Sequence, residues 1–162
     1  MINWIDRRLA LAIHDRQIAE HGGSGGVREE NLLESALARP QQLYAYGDPP
    51  PDLADLAATL AFGLARNHAF VDGNKRTAYI ACRTFLLLNG ADLIATAEEK
   101  YLNMLALAEG ELPLEEFAGW LRSHIQISPG DGVQESRPRR GRPKSKSVAR
   151  RLAAQKPGRR RT

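Results

Sequence analysis

Arg66-Asn67-His68-Ala69-Phe70-Val71-Asp72-Gly73-Asn74-Lys75-Arg76-Thr77 is a polar stretch set between two of the most apolar segments of the chain. Before it, Leu53, Leu56, Ala57, Leu60, Ala61 and Leu64 recur at i, i+3, i+4, i+7, i+8 and i+11, the repeat of an amphipathic helix. After it, Ala78-Tyr79-Ile80-Ala81-Cys82 and Phe85-Leu86-Leu87-Leu88 are apolar almost all round, so Asn74 to Leu88 predicts a central, buried helix. Lys75 and Arg76 then fall in the first turn of that helix, where the macrodipole disfavours cations. A bound anion would compensate, because first-turn N–H groups point outward and Gly73 lets a ligand approach the backbone. Asp72 beside such a phosphate site suits Mg²⁺, which is commonly held by one or two carboxylates plus phosphate oxygens. His68 can act as a general base at neutral pH. These parts fit phosphoryl or nucleotidyl transfer, in which a protein mainly positions groups and stabilises charge. The same residue types also suit a structural loop in which His68 caps a helix and Asp72 pairs with Arg76.

Working outward, the rest of the first 127 residues reads as helices. Leu9, Ile13 and Ile18, with Leu11 and Ala12, give a helical repeat that stops at Gly22-Gly23. Leu32, Leu33, Ala36 and Leu37 share one side of a short helix from Glu29 to Ala38, expected to end before Pro40 because proline pushes its predecessor out of the α region. Pro49-Pro50-Pro51 breaks the chain, and Asp52 after it is a good N-cap. Asn89-Gly90 closes the helix that starts at the motif. Thr96 with Glu99 forms a capping box for a helix carrying Leu102, Leu105 and Ala106 and stopping near Gly110, and Pro113 opens a last one burying Leu114, Phe117, Ala118 and Leu121. A short hairpin near 67–74 or 91–95 is the only β-structure the pattern admits.

Here the sequence resembles a known family. His68-Ala-Phe-Val-Asp72-Gly-Asn74-Lys75-Arg76 is similar to the signature of the death-on-curing toxins, the Doc branch of the Fic fold. Leu11-Ala-Ile-His14-Asp15, the Gly22-Gly23 turn with Gly26 and Arg28, Leu32 to Pro40, and Phe85-Leu86-Leu87-Leu88-Asn89-Gly90 extend the resemblance, in order, over about Leu9 to His124. It implies an all-α fold, a small helical bundle around a central helix that begins at the motif. It implies His68 as the base that deprotonates a target hydroxyl, and Asp72 as the Mg²⁺ ligand. Gly73, Asn74, Lys75 and Arg76 would bind phosphate, with Phe70 as a buried anchor and Arg66 lining the cleft. AMP-transferring members of the family carry a Gly where Lys75 stands and a second Arg where Tyr79 stands. Those departures favour the Doc-type reaction over AMP transfer. In it the γ-phosphoryl of ATP passes to a protein hydroxyl, a threonine of elongation factor Tu in the family, and translation stops. The inhibitory Ser/Thr-x-x-x-Glu-Gly/Asn helix of many Fic proteins has no match here, so the resemblance implies a separate antitoxin as partner.

The charge divides along the chain. The whole carries 23 Lys+Arg and 19 Asp+Glu, net +4. From Ser128 onward there are 12 basic and 2 acidic residues, net +10, which leaves residues 1–127 at −6. We therefore expect a catalytic domain at 1–127 and a basic tail at 128–162 too poor in apolar residues to offset its ordering entropy, hence disordered. Arg140-Gly141-Arg142-Pro143 within that tail resembles an AT-hook, a segment that lays arginines in a narrow A·T minor groove, and so suggests DNA contact. One cysteine excludes a disulfide framework and a multi-Cys zinc site. No apolar run approaches the roughly 20 residues of a membrane span, and MINWIDRR has no secretory pattern, so a cytoplasmic protein is expected. There is no Walker A or protein-kinase motif set. The Gly-rich 21–26 segment lacks a preceding strand and reads as a helix stop, while His14, His124, Cys82, Trp4 and Trp120 read as packing residues. A non-catalytic module binding peptide and DNA is the reading from another class.

Overall fold

A computed structural model of the chain describes residues 1–128. The expected disordered tail and its Arg140-Gly141-Arg142 segment lie outside the described residues. Helix α1 (Arg7–His21) starts at Asp6, whose carboxylate accepts the Leu9 N–H at 2.9 Å, and stops at Gly22, where φ is +83°. Helix α2 (Glu30–Tyr46) runs straight through Pro40, contrary to the expected stop before it. Burial explains the difference. Pro40 continues the stripe Leu33, Ala36, Leu37 that faces the core, so packing offsets the hydrogen bond that its missing N–H forfeits.

Helix α3 (Leu53–Arg66) and helix α4 (Asn74–Leu88) flank the motif loop. Asp52 and Asp55 cap the start of α3 reciprocally, and ten of its fourteen residues are buried. It packs on α2, on α4 and on the last two helices, so it shares the central position with α4. Helix α4 buries one face, Thr77, Ala78, Ala81, Cys82, Phe85 and Leu86, and leaves Leu87 and Leu88 nearly half exposed. Where α3 meets α2, Gly63 lies so near Ala36 that a Cβ there would sit 3.1 Å from its Cα.

Helix α5 (Ala97–Glu109) has the expected Thr96–Glu99 capping box; it buries Met104 and Leu107 and leaves Leu105 and Ala106 partly buried. Leu102 is 51% exposed. An apolar side chain is no guarantee of burial, since more than half of a folded surface is apolar. Helix α6 (Leu114–His124) buries Phe117, Ala118 and Leu121 as expected, whereas Leu114, in its first turn, is only partly buried. Arg122 on α6 forks onto both caps of α3, at 2.6 Å from Asp52 and 2.7 Å from Asp55. The guanidinium holds the Asp52 carboxyl down at about 2.

The β-structure is smaller than a hairpin and of longer range. Strand β1 (Ala91–Leu93) pairs antiparallel with β2 (Ile125–Ile127), with Leu93 opposite Ile125. At 67–74 there is a single bridge, Val27 to Phe70. Cys82 is fully buried in α4 and its thiol is pushed up to about 12 by that burial, which agrees with a packed, unreactive group. Among the described residues no helix is long and apolar enough to cross a membrane.

Candidate active site

The loop between α3 and α4 is fixed from three directions. Asn67 ends α3 and donates its side-chain amide to the Leu32 carbonyl on α2, at 2.9 Å. The segment after the glycine turn runs beside the motif: Arg28 and Glu29 N–H donate to the Ala69 carbonyl, and Val71 N–H donates to the Gly26 carbonyl. From within, Asn74 grips Phe70 with both ends of its amide, accepting its N–H and donating to its carbonyl, each at 3.0 Å. Phe70 is buried, as an anchor should be.

His68 has φ +54°, the one non-glycine residue with positive φ among those described. Such a backbone costs of order 1–3 kcal/mol and persists where surroundings over-determine it. Here the Arg28 guanidinium takes the His68 carbonyl at 2.8 Å and leaves the imidazole exposed. His68 therefore does not cap a helix.

His68 and Asp72 line a cleft of about 450 Å³ together with Gly73, Asn74, Lys75 and Arg76, closed on the far side by Ala108 and Glu109 of α5. Helix α4 opens at Gly73, whose φ of +75° is left-handed and suits glycine. The first helical bond runs from Thr77 N–H to the Gly73 carbonyl, so the N–H groups of Asn74, Lys75 and Arg76 precede it. Gly73 N–H donates to Asp72 Oδ1 at 2.8 Å. Neither Lys75 nor Arg76 is in a salt bridge among the described residues, so the pairing of Asp72 with Arg76 is absent there. Two exposed cations at a helix start, with amides free behind them, make a site that gains by receiving an anion.

The structure thus brings together six of the seven residues expected at the site. Arg66 is the exception. Its guanidinium lies over the Phe62 ring at 5.9 Å and against Gly110, outside the residues that line the cleft. Asn74 also differs in how it can serve, because its side chain is spent on Phe70 and its backbone N–H is what remains for a ligand. Glu109 was not singled out from sequence, since nothing in the order of residues places the end of α5 opposite the motif. A second groove of about 540 Å³ shares Lys75 and Arg76 and continues over Tyr79, Tyr101 and Leu105.

No group of three or more His, Cys, Asp or Glu residues that could hold a metal occurs among the described residues. The cleft holds two carboxylates, Asp72 beside the helix start and Glu109 on α5, a donor set that fits Mg²⁺ brought in with a phosphorylated ligand.

By fold, the described residues form an all-α bundle of six helices with one short two-stranded sheet, carrying the candidate chemistry on one loop between two packed helices. The Fic/Doc family model matches residues 4–86. The chain is 46% identical over 116 residues to the Toxin Doc of Mycolicibacterium smegmatis, covering 69% of this chain and 87% of that one. It is 35% identical over 112 residues to the Protein kinase doc of Escherichia phage P1, with the same coverage. The chain belongs to the Fic/Doc family.

Proposed function

We propose that this protein is the toxin of a type II toxin–antitoxin pair, a kinase that phosphorylates a hydroxyl of a protein and so arrests translation in the cytoplasm. The observation that carries this reading is Lys75, exposed in the first turn of α4 and lining the same cleft as His68. It adds a charge and a side chain where AMP-transferring relatives have glycine, and a similar protein bears the name Protein kinase doc. Tyr79, in place of a second arginine, supports the same reaction.

In this mechanism the helix-start amides, Lys75 and Arg76 hold the phosphate oxygens of ATP and spread the charge that builds on them in the transition state. His68 accepts the proton of the attacking hydroxyl. The oxygen–phosphorus bond to the γ-phosphoryl forms as the bond to the β–γ bridging oxygen breaks, leaving ADP. Asp72, with Oδ2 free of hydrogen bonds, would hold Mg²⁺, which neutralises charge on the phosphates when bound. Loop residues pinned at Ala69, Phe70 and Val71 keep the base and the anion site at a fixed separation.

The expected substrate is a threonine of elongation factor Tu, and the expected partner is an antitoxin. Induced expression in a bacterial host should stop growth and incorporation of labelled amino acids, and His68→Ala should relieve both. Unimpaired growth with wild-type protein at the same level would return the chain to a non-catalytic binding module. For the basic tail we propose A·T-selective DNA contact through Arg140, Gly141 and Arg142. Equal binding of a tail peptide to A·T-rich and G·C-rich duplexes would leave only unspecific phosphate attraction.

A further inference from the structure

His14 lies on α1, far from the motif in sequence, and the chemistry above does not use it. It is 1% exposed. Its ring stacks on Phe70, with centroids 3.9 Å apart and planes 7° from parallel. Its Nε2 is 2.7 Å from the carbonyl oxygen of Asp72. A carbonyl carries no hydrogen, so Nε2 must hold the proton and donate it. A buried imidazole N–H needs an acceptor, and the acceptor here is the backbone of the residue carrying the site's carboxylate.

The rest of the end of α1 converges on the same turn. A Cβ on Gly73 would lie 3.3 Å from Ile18 Cδ1 and 3.8 Å from His14 Nε2. A Cβ on Gly23 would lie 2.7 Å from Asp72 Oδ2, so the carboxylate rests against the bare Cα of that glycine. The glycine turn is therefore no phosphate loop. It is the floor beneath Asp72.

We propose that His14 is a positioning residue for the Asp72–Gly73 turn: by drawing the Asp72 carbonyl toward α1, it sets the direction of the Asp72 carboxylate and of the first amides of α4. Its effect on transfer rests on the kinase reading, but its effect on the turn does not. Phe70 supplies the flat surface that keeps the ring from rotating, and Asn74 holds Phe70 in turn. The chain of contacts runs from α1 through two stacked rings to the helix start.

Two substitutions separate the donor from the ring. His14→Phe keeps a flat ring on Phe70 and removes the donor. His14→Gln keeps a donor at similar reach and removes the ring. Amide resonances of Gly73 and Asn74 in the free, full-length protein should move in His14→Phe and return toward wild type in His14→Gln, while the far end of α4 is unchanged in both. With Mg²⁺ and ATP, the Mg²⁺ concentration for half-maximal transfer should rise about tenfold in His14→Phe. It should fall back severalfold in His14→Gln. A merely destabilised protein would lose amplitude without that shift. Unmoved Gly73 and Asn74 resonances in a folded His14→Phe would overturn the proposal, and so would a shift that His14→Gln does not reverse. If wild-type protein transfers nothing, the kinase reading fails, and the resonances still decide the role of His14.

Discussion

At the scale of single residues, the site rests on groups whose backbones are held while their side chains stay free. His68 is the clearest case, with a left-handed backbone and its carbonyl taken by Arg28. His68→Ala should lower transfer by about 10²–10⁴-fold, the usual worth of a positioned base. Lys75→Ala should lower it by about 10²–10³-fold, as for loss of one charge-stabilising donor. Circular dichroism should show both variants as helical as wild type, since neither side chain is buried. Arg28→Ala should leave the thermal midpoint nearly unchanged and cut turnover by about ten- to a hundredfold, because a base misplaced by an ångström loses that much. That His68, Asp72, Lys75 and Arg76 meet in one cleft was legible in the sequence, because a glycine turn with two cations at a helix start is electrostatically incomplete by itself. Arg66 and Asn74 were not. Which way a side chain turns depends on neighbours such as Phe62 and Phe70, and those are set by packing.

At the scale of elements, helix starts carry much of the arrangement. Asp52 caps α3, accepts from Asp55 N–H and takes the Arg122 guanidinium from α6. Asp52→Ala should therefore cost about 1 kcal/mol from the cap alone. Arg122 is the leading cause that holds the Asp52 carboxyl at about 2, below the ordinary 3.8. A depressed carboxyl stabilises the fold above its unfolded value and loses that contribution as pH falls through the folded one. Thermal midpoints should thus decline between about pH 4 and pH 2, and Asp52→Asn should decline less over that interval. The decline will be modest, because the pair is about half exposed to water. Helix boundaries at α1, α4 and α5 could be read from caps, glycines and repeats, which are local signals. The passage of α2 through Pro40 could not, since the burial that offsets the proline comes from α3. The buried face of α5 was hidden for the same reason: Leu102 and Met104 are both apolar, and only the position of α3 and α4 chooses between them.

At the scale of the whole molecule, the sequence announces two chemistries of opposite sign. The described part is acidic overall, and its exposed, unpaired cations in the cleft are Lys75 and Arg76. The overall charge of +4 is therefore no guide to what the folded part binds. Under the proposed function, recognition of a phosphorylated ligand there would be local, produced by one helix start, and should fall only mildly with salt. DNA contact by the tail, by contrast, should weaken steeply with salt, as counterion release requires. The kinase reading itself is tested most directly by incubating the wild-type protein and Mg²⁺ with purified elongation factor Tu and ATP labelled at either the α or the γ phosphate. Label should pass to elongation factor Tu from γ-labelled ATP alone. Transfer from α-labelled ATP would contradict the kinase reading and place the protein among the AMP transferases.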